Sequence, residues 1–159
     1  MLNFDTMNNR YILLSLLLFS LILFACKETE EEKRQRSIDL MTAQTLGLAY
    51  LDEFKLNEAE GEFLKVIELA PKDKLGYANL GLTYLRKGLY EEAEIQLLKG
   101  MKIDIQDADI RLLLATVYQV NKEQEKAIEV LTKALEIAPN HVKILYDLKG
   151  TNELFNISL

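Results

Sequence analysis

The chain has 159 residues, of which 49% are hydrophobic, enough for one domain with a folded core and too many for disorder along its whole length. Glycine is scarce, Pro71 and Pro139 are the only prolines, and Leu, Ala, Glu and Lys dominate, so the predicted class is all-α. A net charge of −6 argues against a nucleic-acid partner, and a single cysteine, Cys26, excludes an internal disulfide.

Taken in chain order, the first element is an address. Tyr11 to Ala25 is an uncharged apolar run, YILLSLLLFSLILFA, preceded by Arg10 and followed by Cys26 and a very polar stretch. It is short for a membrane span, which needs about 20 apolar residues, and matches the core of an export signal covering residues 1–25. Asp5 offsets Arg10, whereas a start at Met7 would leave a positive leader. Leu23, Phe24, Ala25 and Cys26 resemble the lipobox of bacterial lipoproteins, with Phe24 standing where a smaller residue is usual. That resemblance implies cleavage before Cys26 and acylation of its thiol and amine, which would anchor the chain in a membrane. Residues 26–37, the cysteine and the run KETEEEKRQR, have nothing large to bury and are expected to be a solvated tether. Cys26 followed by Lys27 and Glu28 also resembles a surface-export tag, so the expected location is the bacterial envelope, at the outer membrane, on its periplasmic or its outer face.

Beyond the tether the chain repeats itself at a spacing of 34 residues. Leu46, Leu80 and Leu114 superpose, as do Tyr50, Tyr84 and Tyr118; Ala59, Ala93 and Ala127; and Phe63, Leu97 and Leu131. Gly47, Gly81 and the small Ala115 form a further column, and Pro71 and Pro139 share another that Ile105 breaks. Leu80 and Tyr84 fall on one face of a first helix, while Ala93, Leu97 and Gly100 fall on one face of a second. Small residues where the two axes cross permit close approach, and the large ones fill the space beside them. Lys87 and Gly88 supply the turn, and Glu91 and Glu92 suit the start of the following helix.

Tyr77, Leu80, Gly81, Tyr84, Ala93, Leu97 and Gly100 resemble the signature positions of the tetratricopeptide repeat (TPR) family, with departures at Ala43, Arg111 and Val66. The resemblance implies a right-handed α-solenoid of three helix-turn-helix repeats, residues 40–73, 74–107 and 108–141, within a domain spanning 38–141. Residues 142–159 would form a capping helix, with Leu145 and Leu148 in register, or a truncated fourth repeat.

Catalysis needs convergent nucleophiles, acids or metal ligands, and the sequence offers none. His141 is the only histidine and reads as a loop residue, Ser37 and Ser158 are the only serines outside the leader, and the carboxylates mingle with lysines. No enzyme activity, cofactor, metal or small-molecule substrate is expected. In TPR proteins the first helices line a concave groove that binds protein. The resemblance maps the groove to Gln44, Leu48, Leu51 and Asp52; Ala78, Asn79, Leu82 and Arg86; and Leu112, Leu113, Thr116 and Val120. This largely apolar lining suits a peptide or a helix, although the segment 142–159 is apolar enough to fill it instead. Some TPR domains clamp a carboxylate with two lysines, two asparagines and an arginine; here Asn79 matches, whereas Gln44, Leu48, Asp109 and Leu113 do not. The expected function is a lipid-anchored interaction scaffold for an envelope partner. The alternative is the N-terminal TPR part of a longer cell-surface protein whose main function lies downstream.

Overall fold

The computed structural model describes residues 29–155, with side chains to residue 152, and contains α-helices and no strand among them. The proposed leader and Cys26 lie outside the described residues. Seven helices follow in order: α1 (Glu30–Asp52), α2 (Leu56–Leu69), α3 (Lys74–Lys87), α4 (Tyr90–Ile103), α5 (Ala108–Val120), α6 (Gln124–Ile137) and α7 (Val142–Phe155). The starts of α3, α5 and α7 fall 34 residues apart, as do those of α2, α4 and α6, so the sequence period is the period of a helical hairpin.

Residues 29–38 belong to a compact unit separate from residues 39–155. The stretch expected to be a solvated tether is exposed throughout residues 29–38 and is helical from Glu30. Thr29 and Glu32 cap it reciprocally, the Thr29 N–H donating to Glu32 Oε2 (2.7 Å) and the Glu32 N–H to Thr29 Oγ1 (3.2 Å).

Within residues 39–155, local chemistry sets each helix boundary. Asp73 and Asp107 cap α3 and α5, accepting from the N–H groups of Leu75 (3.0 Å) and Ile110 (2.9 Å). His141 holds the equivalent position before α7, with Nδ1 facing the Ile144 N–H at 3.4 Å. The second helices have no side-chain cap, because a tight turn delivers the chain directly into them. In each turn one residue is left-handed: Phe54 (φ 57°), Gly88 (φ 74°) and Lys122 (φ 63°). The next N–H then reaches back five residues, from Lys55, Leu89 and Glu123 to the carbonyls of Tyr50, Tyr84 and Tyr118, at 2.8–2.9 Å. Only Gly88 adopts this conformation without steric cost.

Three apolar clusters join successive hairpins. The first contains Ala43, Leu51, Ala59, Phe63, Val66 and Leu80; the second includes Ala78, Ala93, Leu97, Ile110 and Leu114; the third unites Leu112, Ala115, Leu131 and Ala134 with Ile144 and Leu148 of α7. Each joins one repeat to the next or, in the third cluster, to α7, so no hairpin buries its faces alone. Ala59, Ala93 and Ala127 are fully buried, as are Phe63, Leu97 and Leu131. Two expected core positions are not. Leu46 is 39% exposed, whereas Leu80 and Leu114 pack against the hairpin before them, and in α7 it is Ile144, not Leu145, that packs inward beside Leu148.

The column tyrosines also tie repeats together by hydrogen bonding. Tyr84 Oη donates to Glu60 (3.0 Å) and Tyr118 Oη to Glu94 (2.6 Å), each reaching the second helix of the preceding repeat. Burial, then the acceptor carboxylate, raises both hydroxyl pKa values above the ordinary tyrosine range. The folded chain therefore holds these protons more tightly than the unfolded chain does. The stabilisation is complete below the ordinary tyrosine pKa of about 10 and is lost as pH climbs through it towards the folded values. Thermal melting at about pH 8 and about pH 11 should show alkaline destabilisation. Tyr118→Phe should lose about 1 kcal/mol at neutral pH and flatten that alkaline fall, so an unchanged profile would remove Tyr118 as its source.

Candidate functional site

The residues predicted to line a groove occupy corresponding positions of α1, α3 and α5. Gln44, Ala78 and Leu112 share one register; Leu48, Leu82 and Thr116 the next, one helical turn along; Asp52, Arg86 and Val120 the third. Together with Leu51, Asn79 and Leu113 they make the twelve predicted lining residues, which divide by burial. Leu51, Ala78 and Leu112 are 3%, 6% and 7% exposed and belong to the three clusters, so their side chains are packing and not open lining. Leu48 and Val120 are each 47% exposed, Asp52 and Arg86 are exposed, and Gln44, Asn79, Leu82, Leu113 and Thr116 are half-buried. The available surface is therefore an apolar strip of Leu48, Leu82, Leu113 and Val120 with polar groups beside it.

Several of these polar groups are already engaged. Gln44 Nε2 donates to Asp73 Oδ2 (3.0 Å), and Arg86 Nη1 donates to the Leu51 carbonyl (2.6 Å) while lying over the Phe54 ring at 5.4 Å. Thr116 Oγ1 donates to the Leu112 carbonyl (2.9 Å) within its own helix. Asp109 stands 3.2 Å from His141 Nε2. A carboxylate clamp thus lacks its cations, and two of the mismatched positions, Gln44 and Asp109, face partners of their own.

The structure adds residues that the sequence did not indicate. Tyr146 of α7 continues the register of Gln44, Ala78 and Leu112 and is 76% exposed, so the groove-side register extends onto the last helix. That extension follows from counting one more period. Gln119 Nε2 donates to Thr151 Oγ1 (2.7 Å), joining α5 directly to α7. Among the described residues, no group of three His, Cys, Asp or Glu is placed to hold a metal ion, and no helix is long and apolar enough to cross a membrane.

Two sequence families, both described as Tetratricopeptide repeat, match the chain, one over residues 42–73 and 108–141 and the other over 62–95. The chain is built of tetratricopeptide repeats. Over 74 residues it is 36% identical to the type IV pilus assembly protein PilF of Pseudomonas aeruginosa, covering 46% of this chain and 29% of that one. It therefore spans less than a third of that relative's length. Among solved structures it resembles the TPR domain of Arabidopsis OM64 (TM-score 0.70, 18% identity, 75% of this chain and 98% of that). It also resembles the TPR2B domain of yeast Sti1 in complex with pHsp70 (TM-score 0.68, 20% identity, 74% and 98%). At such identities these two TPR structures share the fold alone.

Proposed function

We propose that this TPR array is a protein-interaction scaffold held on a bacterial envelope membrane by lipid on Cys26, and that its first-helix groove takes up a peptide or helix of an envelope partner. The observation that carries the reading is the apolar strip, in which Leu48 of the first repeat and Val120 of the third, one helical turn further along, both remain 47% exposed. Such a strip fits an amphipathic segment, whose anchors recur every three or four residues. TPR folds typically serve as interaction scaffolds, and the likeness to a pilus assembly protein suits an assembly role in the envelope. The lipobox-like run ending at Cys26 supports the anchor.

Partner capture from membranes tests the groove. Leu48→Glu combined with Val120→Glu should abolish recovery of the specific partner and leave helicity unchanged, because both sites are open to water. Recovery of the same partner by the double variant would refute the assignment. For the anchor, Cys26→Ser should lose metabolic palmitate labelling and leave the membrane fraction, and labelling that persists would exclude lipidation at this cysteine.

A further inference from the structure

Away from the groove, a cavity of about 350 Å³ opens between α4, α5 and α6, and none of the groove residues lines it. Its walls are apolar where Leu98, Met101, Leu114 and Val130 contribute, and its charged groups are Arg111, Lys126, Glu129 and Lys133. Two of the three cations are compensated. Lys126 pairs with Glu123 and lies over the Tyr118 ring at 5.1 Å, and Lys133 holds Glu129, the only carboxylate in the lining, at 2.5 Å. Arg111 is different. It is 8% exposed, and its Nη1 is buried without a hydrogen-bond partner.

A buried guanidinium nitrogen left unpaired is costly, since the water it gave up has not been replaced. The corresponding position of the preceding repeat is Tyr77, whose hydroxyl donates to the Pro71 carbonyl (3.2 Å), so the fold does not itself demand a cation there. Asp104 feels the Arg111 charge but is hydrogen-bonded to Lys74 Nζ at 2.6 Å. The unspent donor, the apolar walls and a volume within the usual range for small-ligand sites converge on one chemistry.

We propose that the cavity between α4, α5 and α6 binds a small organic anion, a carboxylate carried on an apolar body, with Arg111 as its charge partner. The carboxylate accepts from the guanidinium, and the apolar body displaces water from Leu98, Met101, Leu114 and Val130.

Octanoate is the probe, with its neutral analogue octanamide and inorganic phosphate as controls, titrated into the full-length chain and followed by amide NMR shifts. Saturable octanoate binding is expected, with shifts confined to the cavity walls, and both controls should bind at least roughly tenfold more weakly. Arg111→Met should weaken octanoate by a similar factor while melting no lower than the native chain, whereas an arginine with a purely structural role would lower the melting temperature. Should Arg111→Met fail to fold, the comparison of octanoate with octanamide on the native chain decides alone. Absence of saturable binding, equal binding of octanamide or phosphate, shifts centred on Leu48 and Leu82, or undiminished binding to a folded Arg111→Met would each overturn the site.

Discussion

Ala93→Trp is expected to cost about 3 kcal/mol or more, because the middle hairpin has no space at its crossing for anything larger than a methyl group. Ala93 is fully buried, and a Cβ added at Gly81 would lie 3.3 Å from the Ala93 carbonyl oxygen and 2.6 Å from Leu97 Cγ. The two backbones are therefore almost in contact where α3 meets α4. An indole inserted there must force the axes apart, and the displacement reaches the third repeat, since Ala93 and Leu97 pack in the same cluster as Ile110 and Leu114. In a linear array such damage also uncouples the repeats on either side, so the denaturant transition should broaden as well as shift. Ile95, 51% exposed on the same helix, provides the control: Ile95→Trp should change stability by less than about 0.5 kcal/mol. Equal midpoints for the two variants would show that the hairpins do not cross at Ala93.

How far each feature could be read in advance follows from how local its cause is. The crossing residues were legible because a hairpin axis demands a small side chain at one level and a large one beside it, and three copies write that demand three times. The turns were legible once. Gly88 announces a left-handed residue, whereas Phe54 and Lys122 take the same conformation with no local signal, held there by the hairpin on either side. The charged run after Cys26 reads from its composition as a solvated tether, and the Thr29–Glu32 cap supplies a helix start that composition alone does not reveal. The groove illustrates a different limit. Register assigns Leu51, Ala78 and Leu112 to the lining, but each first helix is flanked by neighbours, and whether a side chain at its margin faces water or the next repeat depends on tilts that no single repeat encodes. The same reason hides the Arg111 cavity, whose walls come from three helices and whose charge balance appears only once the lysines have found their acids.

Phe63→Ala is expected to be the most destabilising truncation in the first repeat, at about 3–5 kcal/mol, since the ring is fully buried and fills the space left by Gly47. A Cβ at Gly47 would meet Phe63 Cε1 at 2.7 Å and Cζ at 2.9 Å, so glycine and phenylalanine here form one packing unit. The third repeat solves the same problem with Ala115 and Leu131, both fully buried. Transplanting that solution should therefore work as a pair and fail as single changes. Gly47→Ala alone collides with a rigid ring, and Phe63→Leu alone leaves a void; each should destabilise by about 1–2 kcal/mol even though alanine is the better helix former. Together they should cost less than their sum by at least about 0.5 kcal/mol, the coupling expected of residues in direct contact. Strict additivity in a double-mutant cycle would mean that Gly47 and Phe63 do not share this space, and the pairing of small and large columns would lose its physical basis.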